Sequence, residues 1–231
     1  MSDTLANFIS KIRVDLDERT ASYYTDADLT NWINEGAREL ARRAEVGQAK
    51  STSVTVTAGS TSLLDMPTDV IQIHRVEYAT TSSPSQTYPV QLRTYDEMDQ
   101  VWGWTQAQQS NYPTSIVFWG EPPTLKGQLW PIPSVGGALN IFYYQVPTAL
   151  TSTQSTSQVT CPSGWEDVIQ LYVEYRALRR AKDQEWQGAK LIYEEKITNL
   201  IEKTVQWHDQ SQTVITGMGA VPSWLYSMDT Y

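Results

Sequence analysis

Side chains that commonly do chemistry are scarce in this 231-residue sequence. It holds two histidines, His74 and His208, and one cysteine, Cys161. Histidine is the usual acid–base and metal-binding group near neutral pH, so two isolated copies leave little for either role. His74 lies in an expected strand beside Arg75 and reads as a half-buried polar position. His208 follows Trp207 at a helix end, where an imidazole can meet free carbonyls. Cys161 precedes Pro162 and reads as a small loop or buried residue rather than a nucleophile. Carboxylate pairs occur at Asp15/Asp17, Asp26/Asp28, Asp65/Asp69 and Asp96/Asp99. Two carboxylates alone can hydrolyse a glycoside. Each of these pairs, however, falls at a helix start, in a turn or on a solvated face, where Asp and Glu serve as caps. No nucleophile elbow, phosphate loop, dinucleotide fingerprint, paired-histidine zinc helix or EF-hand loop is present. The expectation is therefore no catalytic residue, no cofactor and no metal, with an acid-pair glycosidase kept as one alternative.

The aromatic residues offer a different chemistry. The chain has nine Trp and thirteen Tyr but three Phe. Trp102, Trp104, Trp119 and Trp130 lie in or beside expected strands, and exposed indoles on a β-sandwich could stack on sugar rings. A carbohydrate-binding module is thus a second alternative. The preferred reading puts Trp119 and Trp130 in the core and packs Trp102 and Trp104 beneath a loop. Arg176, Arg179, Arg180 and Lys182 would form a phosphate site in a basic protein. Here Asp183 and Glu185 follow at once and the formal charge is −9. A solvated face or an inter-subunit row of salt bridges fits better.

That charge also argues against a protein that coats DNA or lies on an anionic membrane. With 40% hydrophobic and 19% charged residues the chain is too apolar for intrinsic disorder. No apolar run reaches the ~18 residues of a membrane span, and the N-terminus has no secretory pattern.

The elements that must position these residues follow from charge and period. Residues 51–163 carry 3 basic and 7 acidic side chains, against 7 and 9 in each of 1–50 and 164–209. The layout predicts helices, then strands, then helices. Leu5, Phe8, Ile9 and Ile12 give a helix over about 4–16. Thr25 and Asp28 form a capping box for a second helix ending near Gly47, with Leu29, Trp32, Ile33, Gly36, Ala37, Leu40 and Ala44 on one face. A hairpin is predicted from 53–57 and 61–64, with strands at 70–79, 87–92, 114–119, 127–132 and 138–146 and a short helix at 95–102. A third helix starts after Pro162 with Ser163 as cap. A fourth spans 185–208, hinged to the third near Asp183. The third helix is apolar over more than half its circumference, wider than one partner needs. Its residues Val168, Leu171, Tyr175, Leu178 and Arg179 are therefore the candidate subunit interface. Residues 210–231 have no period, and their only charge is Asp229. They carry Met218, Trp224, Leu225, Tyr226 and Tyr231, and read as an extended segment that orders on a partner.

The fold class is α+β. A helical bundle is built from 1–50 and 164–209, with a small antiparallel β-sandwich or barrel inserted at 51–163 and an extended tail at 210–231.

In this order the chain resembles the head-to-tail adaptor (connector) proteins of tailed bacteriophages, especially short-tailed ones. The resemblance rests on Leu5-Ala-Asn-Phe-Ile-Ser-Lys-Ile-Arg13 and on Tyr24-Thr-Asp-Ala-Asp-Leu-Thr-Asn-Trp-Ile-Asn-Glu-Gly-Ala-Arg-Glu-Leu40. It continues through Leu64-Asp-Met-Pro67 with Asp69 and through Ile71-Gln-Ile-His-Arg-Val-Glu-Tyr78. It closes on Cys161-Pro-Ser-Gly-Trp-Glu-Asp-Val168 leading into Leu171-Tyr-Val-Glu-Tyr-Arg-Ala-Leu178. It covers about 1–209. It implies a structural virion protein rather than an enzyme: a ring, expected as a dodecamer, between portal and tail or nozzle protein at the head–tail junction. Such a ring would extend the DNA channel, pass packaged DNA without specific binding, and be assembled in the host cytoplasm without a membrane. The tail residues would dock on the portal or a neighbouring subunit.

Overall fold

The period of the hydrophobic pattern changes at Gly47, and so does the backbone. The computed structural model describes residues 3–18, 23–100, 108–162 and 164–217, with side chains as far as Gln206. The first helices are α1 (Leu5–Asp15) and α2 (Asp26–Ala44). Thr4 caps α1, and Thr25 with Asp28 forms the reciprocal capping box on α2. Glu45 (φ 49°) ends α2 in the left-handed region, and Gly47 (φ 86°) turns the chain into the first strand.

The strands are β1 (Gln48–Val56), β2 (Leu64–Asp65), β3 (Val70–Thr80), β4 (Ser83–Arg93), β5 (Gln109–Ser110), β6 (Ser115–Trp119), β7 (Lys126–Trp130), β8 (Ile132–Pro133) and β9 (Gly137–Gln145), with α3 (Tyr95–Asp99) after β4. Seven strands form one sheet in the order β1-β9-β3-β4-β6-β7-β2. The sheet rolls until its edge strands β1 and β2 approach each other, so it is nearly closed. Its inner face holds one core, with Val54 and Val56 from β1, Val76 and Tyr78 from β3, Val90 from β4, Ile116 from β6, Leu129 from β7, and Leu139 and Ile141 from β9.

Two details differ from the sequence expectation. Residues 53–57 and 61–64 do not form a hairpin: β1 pairs with β9, and β2 pairs with β7. A nine-residue β1 buries more apolar surface beside the long central β9 than beside a short neighbour. The sheet is also mixed rather than antiparallel, because β4 and β6 run parallel. The long connection through α3 carries the chain back to the start of the sheet, as parallel pairing requires.

The last helices are α4 (Glu166–Ala181) and α5 (Trp186–Gly217). Ser163 lies outside the described residues. Trp165 occupies the N-cap position of α4 without a side-chain cap, and Glu166 instead accepts from the Gly164 N–H at 2.8 Å. α5 does not stop near 208, so 210–217 is helical rather than extended. Residues 186–204 already nucleate and pack the helix, and nothing from Gln210 to Thr216 is Pro or Gly. Propagation therefore continues to Gly217. Residues 218–231, with Met218, Trp224, Leu225, Tyr226 and Tyr231, lie outside the described residues.

α1, α2, α4 and α5 share a second core: Leu5, Phe8, Ile12, Leu29, Ile33, Leu40, Val168, Ile169, Val173, Ile197 and Leu200. α2 and α4 approach closely enough that a Cβ on Gly36 would lie 3.0 Å from Tyr172 Cδ1. The 148–162 loop is tied to this unit. Leu5 and Ala6 N–H donate to the Ser157 and Ser155 carbonyls at 2.8 and 3.0 Å.

Candidate interaction surfaces

The wide apolar face of α4 is satisfied mostly within the subunit. Val168 is 1% exposed, and Ile169, Tyr172, Val173 and Ala177 are buried with it. Leu171 and Tyr175 are half-buried against the same core. Tyr172, Tyr175 and Tyr193 pack as a cluster with ring centroids 5.2, 5.4 and 5.9 Å apart. Burial pushes the hydroxyls of Tyr172 and Tyr193 well above the ordinary phenol range. The sequence reading weighed α4 against α5 alone, whereas α1 and α2 also pack on it and absorb the surplus. Val168 is thus a core residue and is unavailable to a neighbour. Leu178 is half-buried and Arg179 exposed.

Arg179 rims an open groove of α2 and α4, with Asp28, Asn31, Trp32, Glu35, Arg176 and Arg180. Arg176 pairs with Glu35 and Arg180 with Asp28, each at 2.9 Å. The Thr25 hydroxyl and then Arg180 hold the Asp28 carboxyl below its usual range. Arg180 also lies 5.7 Å from the centre of the Trp32 ring, and Arg179 lies 5.8 Å from that of Trp186. Two of the four cations of the basic run, Arg176 and Arg180, are thus held in ion pairs within the subunit. Arg179 has no salt bridge among the described residues.

The acid pairs are dispersed into separate structural jobs. Asp26 holds Arg13 at 2.6 Å, and Asp28 closes the α2 capping box. Asp65 pairs with Lys126, and Asp69 accepts from the Tyr143 hydroxyl at 3.0 Å. Asp15 accepts from Gln170, while Asp96 lies in the first turn of the short α3 and Asp99 at its end. Among the described residues no cluster of His, Cys, Asp and Glu could hold a metal ion. None of their helices is long and apolar enough to cross a membrane.

His74 is exposed rather than half-buried, 5.3 Å from the Tyr144 ring. Trp119 is not core either: it is 40% exposed at the end of β6, edge-on to Tyr95 at 3.8 Å. Trp130 packs against Met98 and Val117. Trp102, Trp104 and the His208 side chain fall outside the described residues. Cys161 lines an apolar crevice with Ala37, Leu40, Ala41, Val46 and Pro147. Burial there pushes its thiol up to about 12, which removes the thiolate that nucleophilic chemistry needs.

The sequence reading missed the outer face of α5. Its buried stripe is Ala189, Tyr193, Ile197, Leu200 and Thr204. On the opposite side Leu191 is 71%, Ile192 51% and Val205 53% exposed. On α1, Val14 is 66% exposed. The signal was present in the periodicity, as apolar residues out of phase with the stripe.

The sequence matches the family model of the SU10 adaptor protein over residues 3–219. The chain belongs to the SU10 adaptor protein family. The match spans the helical and β parts alike and agrees with the phage head-to-tail adaptor resemblance. The family is one of phage structural adaptors and is not known for enzymes. It implies association with portal and tail proteins at the head–tail junction of the virion. No curated protein matches the chain.

Proposed function

We propose that the chain is the subunit of a ring, of twelve copies, seated between portal and tail and continuing the DNA channel, assembled in the host cytoplasm. What supports this reading is a family match over 3–219 on a subunit whose longest helix turns Leu191, Ile192 and Val205 outward. Leu191 with Ile192, and Val205 further along α5, leave apolar side chains in solvent at two places on the helix, each available to a protein contact. α1 and α5 both pack on α2 and α4, so Val14 and the exposed α5 residues are apolar surfaces carried by separate helices. Unlike surfaces meeting head to tail close into a ring when the rotation between neighbours divides a full turn.

Leu171, Tyr175, Leu178 and Arg179 contribute to the subunit contact as its α4 margin, and Met218, Trp224, Leu225, Tyr226 and Tyr231 dock on the portal or a neighbour. The β part faces outward or toward the tail. A net charge of −9 keeps affinity for duplex DNA low, so that DNA can slide through the channel. The test is sedimentation of wild type and a Leu191→Asp/Ile192→Asp variant, alone and with portal protein. Both side chains are exposed, so the variant is expected to melt like wild type but to fail to assemble. Normal assembly of the variant would remove the α5 face from the interface.

A further inference from the structure

Cations are sparse in the β part, and two of them converge on one ring. Between Gln48 and Gln145 the sequence has four Lys or Arg residues: Lys50, Arg75, Arg93 and Lys126. Lys126 pairs with Asp65, and Arg93 donates to Gln91. Lys50 and Arg75 both stand directly across from Phe142, on β1 and β3 respectively. Since β9 lies between β1 and β3, Lys50, Phe142 and Arg75 form a single row across three strands. Lys50 Nζ is 5.2 Å and Arg75 Cζ 5.7 Å from the ring centroid. Leu139, Ile141 and Tyr143 point into the sheet's core, so strand alternation places Phe142 on the outer face. Lys50 and Arg75 are exposed, and Glu77 pairs with Arg75.

The other half of the rolled sheet is dressed oppositely. Val117 of β6 faces outward under α3, where it packs with Met98, Tyr95 and Trp130. α3 in turn exposes Asp96, Glu97 and Asp99. These are three of the seven acids between 51 and 163. β9 and β6 are separated by β3 and β4 on one side and by β7, β2 and β1 on the other. In a nearly closed sheet their outer faces therefore point away from each other. With Arg75 paired to Glu77, the Lys50 row carries one net positive charge, while the three acids of α3 with Arg93 opposite Val117 carry two net negative charges, so the two sides are complementary in one head-to-tail orientation.

We propose that the Lys50–Phe142–Arg75 row is a docking surface for the α3 knob of a second copy of this chain. This rests on the ring reading and adds a contact between β parts to the helical one. Asp96 meets the cations, and the methylenes of Lys50 and Arg75 with the Phe142 ring supply the apolar floor. Lys50 and Asp96 are exposed, so reversing either leaves the fold intact.

The test uses the full chain, alone and with portal protein, as wild type, Lys50→Glu, Asp96→Lys and the combined variant. Assembly is read by sedimentation against concentration, with thermal melting alongside. Each single reversal is expected to raise the concentration for half-assembly by about tenfold or more, and the combined variant to recover most of that loss. Lys50→Gln and Asp96→Asn are milder variants expected to act in the same direction if a reversal lowers the melting temperature. A wild-type ring indifferent to all four changes overturns this contact and leaves the ring standing. Single reversals that weaken assembly without recovery in the combined variant also overturn it. A Lys50→Glu chain that assembles normally but loses retention on duplex DNA would assign the row to phosphates instead. A wild type that stays monomeric in every condition overturns the ring reading and this contact with it.

Discussion

Asn34 grips the peptide of Leu150 from both sides. Its Nδ2 donates to the Leu150 carbonyl at 2.7 Å, and its Oδ1 accepts the Leu150 N–H at 2.9 Å. One buried side chain on α2 thereby fixes the loop that leads from the sheet back to α4. Asn34→Ala leaves both groups of a half-buried peptide unpaired, a loss of about 1–3 kcal/mol. Calorimetry should show a melting temperature lower by roughly 2–4 °C per kcal/mol. Asn34→Asp keeps the acceptor for the N–H and should fall between Ala and wild type.

A Cβ at Gly137 would lie 2.2 Å from the Ala79 carbonyl oxygen, across the β9–β3 ladder. Backbone cannot yield as a side-chain tip can, so Gly137→Ala should cost at least the upper end of the ~1–3 kcal/mol typical of overpacking. Gly188 in α5 is the contrast, with nothing within 4 Å. Gly188→Ala should be neutral or stabilising by up to about 1 kcal/mol. Denaturant midpoints of the two variants should move in opposite directions or differ by several kcal/mol.

Burial raises the phenols of Tyr143, Tyr172 and Tyr193 above their ordinary value of 10.0, Tyr143 to about 12. Above pH 10 the unfolded chain releases these protons while the folded chain keeps them, so the unfolded state binds fewer protons. Stability is therefore full below pH 10 and falls as pH rises past it. Urea unfolding between pH 8 and pH 12 should show this decline, and the part of the tyrosinate absorbance that Tyr172→Phe and Tyr193→Phe remove should rise together with loss of helix rather than before it. Tyr193→Phe should flatten part of the slope, and its hydroxyl has no hydrogen-bond partner among the described residues to lose.

Much of the helical part was legible because its signals are local. The α1 and α2 boundaries followed from Thr4, the Thr25–Asp28 box and the apolar spacing. The strand pairing was not legible, because period two does not say which strand lies next to which. Ser-Val-Thr-Val-Thr beside Ala-Gly-Ser carries a hairpin pattern, yet β1 crosses to β9 more than eighty residues away. The strand expected at 87–92 starts earlier, since Thr80 stands opposite Ser83 and β4 begins there. The role of Arg13 was not legible either. Arg13 is 7% exposed, donating to the Tyr24 carbonyl and Asp26, partners brought to it only by the α1–α2 turn. Of the candidate interface, Val168 and its neighbours were apolar for reasons inside the subunit. A single-helix view cannot separate three internal neighbours from one external one.

Residues 218–231 follow a helix that ends at Gly217 and carry Trp224, Leu225 and Tyr226. Burying two or three such side chains on a partner is worth several kcal/mol at ~25 cal/mol per Å² before ordering costs. Deleting 218–231 should weaken portal pull-down by at least about tenfold while the subunit melts as before. Retained binding with a large drop in melting temperature would show instead that the segment packs on its own core.

The most direct measurement is negative-stain microscopy of the purified chain mixed with its portal protein. Closed rings stacked coaxially on the portal, with a continuous central opening, are the expected result. Single subunits bound without ring closure, or no complex at concentrations where the portal itself is assembled, would contradict a ring-forming adaptor.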